Sequence, residues 1–232
     1  NELITWALRS YFPAATSLLE VGCGTGYVAA DLRRRLPRLR VAAGDPFDAG
    51  VRVARRRMPD AEVFQMDGRR IPFDAEFDVV AAFDVLEHVR EHDLVVEQMS
   101  RAVVPGGGIL VTVPQHPWLW TPLDEYAQHE RRYTRRELRS VLETAGLRVV
   151  RMTSFVSLLL PLLLASRLRQ RGKPVDPRSE FDLPASIDRG LAQVMALELR
   201  LIARGISFPS GGSLLAIAVR RPSPPTIGAD GP

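Results

Sequence analysis

Two periodicities alternate along this chain. Short, continuously apolar runs at Leu18–Val21, Leu39–Ala43, Ala61–Met66, Phe77–Ala82, Ile109–Val113 and Leu147–Met152 read as strands buried on both faces. Between them, apolar residues recur at helical spacing over Leu3–Tyr11, Val28–Leu36, Phe47–Met58, Leu94–Val103 and Arg135–Ala145. Pro13, Pro37 and Gly146 punctuate these segments, and Pro105-Gly106-Gly107-Gly108 reads as a turn before the fifth strand. Helix after strand, repeated, predicts a doubly wound α/β sheet. A seventh strand is expected only at Leu214–Val219, after Gly211-Gly212.

That leaves an insertion at about 155–209 between the last two strands, long enough to need structure of its own. It opens on the apolar stretch Phe155–Ala165, interrupted by Pro161 and followed by Arg167, Arg169, Arg171 and Lys173. The stretch is well short of the ~20 residues a membrane-spanning helix needs. It reads either as a helix of the core or, with 155–173 taken together, as a peripheral membrane contact or a lid over a greasy substrate. Residues 173–186 read as loop, Ile187–Ala203 as an amphipathic helix with mostly core-forming Leu191, Val194, Met195, Leu197, Leu199 and Leu201, and 221–232 as a disordered tail. The whole of 1–220 is therefore expected to be one domain.

Composition changes this picture little. The chain has 232 residues, 46% of them hydrophobic and 25% charged, the balance of a globular protein. Its formal net charge is +4, and Lys173 is its sole lysine among 31 basic residues. The runs Arg33-Arg34-Arg35 and Arg55-Arg56-Arg57 read as solvated helix faces, with a nucleic-acid or anionic-membrane patch as the sharper alternative. Cys23 is the single cysteine, so no intrachain disulfide can form, which fits a reducing cytoplasm. No signal peptide is visible, although the chain begins directly in a helical pattern at Asn1. The expected localisation is cytoplasmic, with peripheral contact at the inner membrane face as a variant.

Chemistry enters at Glu20-Val21-Gly22-Cys23-Gly24-Thr25-Gly26, where the first strand runs through a glycine-rich turn into a helix. A dinucleotide-binding turn needs G-x-G-x-x-G, and its third glycine would fall at Tyr27. The G-x-G-x-G spacing behind an acid instead resembles motif I of the class I S-adenosylmethionine (SAM)-dependent methyltransferases. Glycines let the backbone approach the ligand, and the helix N-terminus offers N–H groups to its carboxylate. The resemblance implies a Rossmann-like, doubly wound seven-stranded sheet with a helical insertion between the last two strands. It gives Glu20 the SAM ammonium, Asp45 the ribose hydroxyls and Asp67 the adenine amine. It also places Gly22, Cys23, Gly24, Gly26, Pro46, Met66, Gly68 and Phe83 at the cofactor, with Cys23 packing and not acting as a nucleophile.

After the fourth strand comes Phe83-Asp84-Val85-Leu86-Glu87-His88, not the Asn-Pro-Pro-Tyr of adenine and glutamine methyltransferases. It resembles the acid-x-x-Glu-His segment of ubiquinone-pathway O-methyltransferases and related small-molecule enzymes, with Asp84 where those usually carry Glu. In some of those enzymes, and in plant small-RNA 2′-O-methyltransferases, such residues and a later histidine bind a divalent cation. Here the set would be Asp84, Glu87, His88 and His129, whose first three members could share one face of a helical turn. His88 can therefore be a general base, a ligand or part of a positioning turn, and the metal is the less favoured reading. His129 is the second catalytic candidate, and His92 reads as a surface residue. The loop Pro114–Tyr126, with His116, Trp118 and Trp120, reads as an acceptor pocket or as an anchor for the insertion. The expected activity is methyl transfer from SAM to an oxygen, less readily a nitrogen, of a small, lipophilic or glycan-linked acceptor. An RNA 2′-O-methyltransferase and a non-catalytic SAM-binding protein are the alternatives.

Overall fold

The structure is a computed structural model that describes residues 1–170 and 185–221. Its elements follow in the order α1 (Glu2–Tyr11), β1 (Ser17–Val21), α2 (Tyr27–Arg35), β2 (Arg40–Asp45), α3 (Asp48–Arg57), β3 (Glu62–Gln65) and β4 (Phe77–Phe83). Then come α4 (His92–Ala102), β5 (Val103–Pro114), α5 (Pro122–Tyr126), α6 (Arg135–Thr144), β6 (Leu147–Phe155), α7 (Leu160–Gln170), α8 (Ala185–Ala203) and β7 (Ser213–Arg220). One seven-stranded sheet takes the order β3-β2-β1-β4-β5-β7-β6. Six strands run in one direction and β7 inserts antiparallel between β5 and β6, so the sheet is mixed.

The strands are apolar throughout because both faces of the sheet are covered. Leu19, Val21, Val80 and Ala82 alternate onto the face packed by α4 and α6 through Val95, Met99, Leu138 and Leu142. Leu18, Val79 and Ala81 turn the other way, against Leu8 of α1, Leu32 of α2 and Val51 of α3. Alanines at the centre of β2 and β4 let these helices lie close to the sheet.

A carboxylate staples the edge opposite the site. Asp78 accepts from the backbone N–H and hydroxyl of both Thr16 and Ser17 at 2.8–3.0 Å, tying the start of β1 to the start of β4. Burial works against its charge, but these hydrogen bonds more than offset it and hold the carboxyl below the usual aspartate range. Its contribution is therefore present above the unfolded pKa near ~3.9 and is lost as pH falls through the lower folded value. Asp78→Asn is expected to cost about 1–2 kcal/mol in urea denaturation at pH 7, with the difference from the parent narrowing as pH drops toward ~3.

Three expectations need correction. Pro105–Gly107 is not a turn ahead of the strand but a bulge within it: Phe77 of β4 pairs with Val103 and Val79 with Gly108, so 104–107 loop out of the ladder with Gly106 at φ 84°. Pro105 and the glycines after it are tolerated there because the ladder is locally broken. The apolar stretch after β6 is not a core helix either, since none of 156–165 is fully buried and Leu158 and Leu162 stay exposed. On α8 only Glu198 and Ile202 are fully buried among the described residues, while Leu197 remains 48% exposed, so its apolar residues form a wall and not a core. Arg171 and Lys173, most of the loop read at 173–186, and the tail beyond 221 lie outside the described residues. No helix among the described residues is long and apolar enough to cross a membrane.

Candidate active site

The glycine turn sits where β1 meets its neighbours at their carboxyl ends, with Val21 level with Gly44 of β2 and Ala82 of β4. The backbone N–H groups of Gly22 and Cys23 both donate to the Gly44 carbonyl, at 2.7 and 3.0 Å, which pins the start of the turn to β2. Gly22, Gly24 and Gly26 all have positive φ (73°, 51° and 72°), a conformation that sterically suits glycine. A side chain on Gly24 would meet nothing within 4 Å, so open space lies above the turn.

Two buried acids flank that space. Asp45, 6% exposed at the end of β2, accepts from the Gly24 N–H at 2.8 Å and the Phe47 N–H at 2.9 Å. A carboxylate has lone pairs left for further donors after two such bonds. Glu20, 2% exposed, keeps Oε2 without a partner. Burial pushes its carboxyl up to about 8; the Ala29 backbone N–H opposes this and the nearby Asp45 charge adds to it. An ammonium brought against Glu20 would satisfy that oxygen and restore its charge. An orphaned acid beside an open glycine cradle fits the amino-acid tail of SAM.

The remaining residues expected at the cofactor fall into two groups. Pro46 follows Asp45 and Phe83 ends β4, half-buried at the rim of a cleft. Asp67, just beyond β3, is gripped by Arg69 through Nη2 at 2.8 Å and the backbone N–H at 2.9 Å, which holds its carboxyl below the usual range. Met66 packs down onto Gly44 and the core, and Gly68 lies against Val21 and Val95. Cys23 is buried, and burial with the neighbouring Glu20 and Asp45 pushes its thiol up to about 12. It is an inert packing group.

Beyond β4 the chain makes a sharp bend at Asp84 (φ 53°) before a single 3₁₀ turn, Leu86–His88. Asp84 falls outside the tight ligand-atom group of the four residues expected to act together, although its charge still bears on the other three. Asp84 accepts from the Thr112 hydroxyl at 3.2 Å and lines the cleft, where its carboxyl is raised chiefly by burial. Glu87, His88 and His129 converge instead, with one potential ligand atom from each within 4.8 Å of the others. The segments are locked by the Glu130 N–H donating to the Glu87 carbonyl at 2.7 Å. Glu87 is 1% exposed with Oε2 unpartnered, and burial, reinforced by the Asp84 charge, pushes it up to about 8. His88 lies with its ring 4.7 Å from that of His129, and burial followed by the neighbouring imidazole lowers its pKa.

Asp124 organises this cluster, and the motifs of the sequence do not single it out. Only 2% exposed, it bonds His129 Nδ1 at 2.9 Å, accepts from Arg132 Nε at 2.7 Å and closes a capping box with Thr121. The Thr-x-x-Asp spacing at the start of α5 is the signal that could have found it. His92 also differs from expectation: it is half-buried and bonded to the Tyr133 hydroxyl at 2.9 Å. The loop after β5 is tied at its start to the segment before β7, while its aromatic residues stay exposed. Trp118 and Tyr126 are 60% and 72% exposed, while Gln115 bonds Pro209 and Gly211 and His116 bonds Ser210 at 2.7 Å.

The open cleft lies elsewhere. A volume of about 690 Å³ opens between the ends of β4, β5 and β6, α1 and the inner face of α8, bounded by Phe83, Asp84, Thr112, Phe155, Met195 and Leu199 among others.

The strand order with an antiparallel β7, the acid-flanked glycine turn and a cleft at the carboxyl ends of β4 and β5 define a class I SAM-dependent methyltransferase. The chain belongs to the methyltransferase-domain family, whose model matches residues 3–152. It is 31% identical over 218 residues to a probable S-adenosylmethionine-dependent methyltransferase, Rv3030, of Mycobacterium tuberculosis, covering 89% of this chain and 77% of that one. A second such protein, from Mycolicibacterium smegmatis, is 37% identical over 141 residues, 59% of this chain; the match spans about half (53%) of that relative. The fold matches Haemonchus contortus phosphoethanolamine N-methyltransferase 2 bound to SAM with a TM-score of 0.63 at 20% identity, over 95% of this chain and 52% of the other. Relatives of both chemistries occur, among them a ubiquinone biosynthesis O-methyltransferase of Methylobacterium nodulans and an amino-sugar N,N-dimethyltransferase of Saccharopolyspora spinosa. The protein is thus a SAM-dependent methyltransferase.

Proposed function

We propose that it methylates an oxygen of a small or lipophilic, including glycan-linked, acceptor held in the cleft beside Asp84. The observation that carries this reading is the Asp124–His129–His88 array, whose two imidazoles lie near enough to the cleft-lining Asp84 to interact with its charge. Bound SAM supplies a methyl group on a sulfonium, already electrophilic, so the protein must add alignment and removal of the acceptor proton. Glu20 and the glycine turn hold the amino-acid tail and Asp45 the ribose. His88 takes the hydroxyl proton as the oxygen–methyl bond forms. His129, turned by its bond to buried Asp124, braces that ring.

Glu87, His88 and His129 also fit a divalent cation, because Glu87 brings an orphaned oxygen to two imidazoles. Such an ion would polarise the acceptor hydroxyl. The base reading predicts turnover unchanged after EDTA dialysis; loss restored by Mg²⁺ or Mn²⁺ would move the chemistry to the ion. Exposed Leu158 and Leu162 at α7, with Ile187 and Leu197 on α8, support a lipophilic acceptor met at the cytoplasmic membrane face. The lone buried cysteine supports the compartment. The test is incubation with methyl-labelled SAM and fractionated bacterial extract. Label in a small-molecule or lipid fraction, stable as an ether or released as an ester, supports the reading. Label confined to RNA or to amines contradicts it.

A further inference from the structure

The α8 wall of the cleft carries a group that methyl transfer itself does not use. Glu198 is 1% exposed and forms part of that wall among Leu3, Ile4, Met195, Leu199 and Ile202. Its Oε2 accepts from the backbone N–H groups of Ser157 and Leu158, both at 2.7 Å, and so fixes the side chain where β6 leaves the sheet. Its Oε1 has no partner. A buried carboxylate oxygen without a donor is costly, and a fold that needed only the Ser157–Leu158 cap could have used an uncharged side chain. Apolar ligand sites characteristically carry one or two such fixed polar groups, which set orientation.

We propose that Glu198 is the anchor of the acceptor site: Oε1 receives a hydrogen bond from a hydroxyl or ammonium group on an apolar-bodied acceptor, at a position other than the one methylated. The acceptor's body lies along Met195 and Leu199 while its reacting group faces Asp84 and the cofactor turn. This rests on the methyltransferase reading above only for the identity of the ligand as acceptor. The carboxylate is an acceptor-only group, so it selects for donors. In Glu198→Gln the oxygen can keep the Ser157–Leu158 cap, which turns an amide NH₂ into the place of Oε1 and reverses the preference.

The test uses the full chain loaded with S-adenosylhomocysteine (SAH), with ¹³C-methyl methionine, reading the Met195 methyl resonance. The probes are heptylammonium, heptan-1-ol and hexyl methyl ether, the last of equal length with no donor. The parent is expected to bind the ammonium, the alcohol or both at least ~10-fold tighter than the ether. Glu198→Gln is expected to remove the ammonium's advantage and raise the ether's relative affinity. A dominant ammonium or a dominant alcohol names the donor class, and either supports the proposal. Equal binding of all three probes to the parent, or an unchanged ranking in Glu198→Gln, overturns it. SAH affinity by calorimetry reports separately: its absence in the parent counts against the methyltransferase reading, while the probe ranking still decides the role of Glu198.

Discussion

Gly22→Ala is expected to abolish SAH binding measurable by calorimetry and to cost about 2–4 kcal/mol of stability. Two effects combine. At φ 73° a side chain strains the backbone, and the added Cβ would sit 2.5 and 2.9 Å from the two methyl groups of Val85. Val85 cannot retreat freely, because it leads directly into the 3₁₀ turn that presents Glu87 and His88. The substitution therefore disturbs the glycine turn and the 3₁₀ turn carrying Glu87 and His88 together. Gly22→Ala/Val85→Ala separates the contributions: the packing part should return in urea denaturation while the backbone strain stays. Tight SAH binding by Gly22→Ala would show that the ligand does not approach this turn.

His88→Ala should lower kcat by roughly 100- to 10,000-fold with SAH affinity unchanged. The ring is accessible at the mouth of the site, and nothing that holds the glycine turn depends on it. His129→Ala should act in the same direction through loss of the brace, and Asp124→Asn less strongly, since the amide can still hold one tautomer. A His88→Ala loss smaller than about fivefold, or a matching loss of SAH affinity, would reduce His88 to a positioning residue.

The first half of the chain is legible because its signals are local. Strands buried on both faces read as apolar runs, and the turn Gly22–Gly26 announces itself by spacing, so the residues alone put Glu20 and Asp45 at adjacent strand ends. Local reasoning fails where long-range packing decides. Pro105–Gly107 has turn composition, but pairing of β4 with Val103 on one side and Gly108 on the other makes it a bulge inside β5. Helical spacing groups Asp84 with Glu87 and His88; its positive φ also turns its carboxylate to Thr112 and the cleft, while its charge still reaches both. By composition the aromatic loop reads equally as a pocket or as an anchor. Which way Trp118 and Trp120 face is set by Gln115 and His116 binding a segment almost a hundred residues later. The wall of the cleft comes from α8, whose amphipathic pattern is the same whether it seals a core or borders a ligand.

The central claim is that the cofactor turn and the cleft beneath α8 form one active site. A crystal structure of the SAH complex tests it most directly. The SAH ammonium is expected on Glu20, its ribose hydroxyls on Asp45, and its sulfur opening toward Asp84, Thr112 and Met195. A sulfur facing the Trp118–Trp120 loop, or closed off from the cleft, would contradict it.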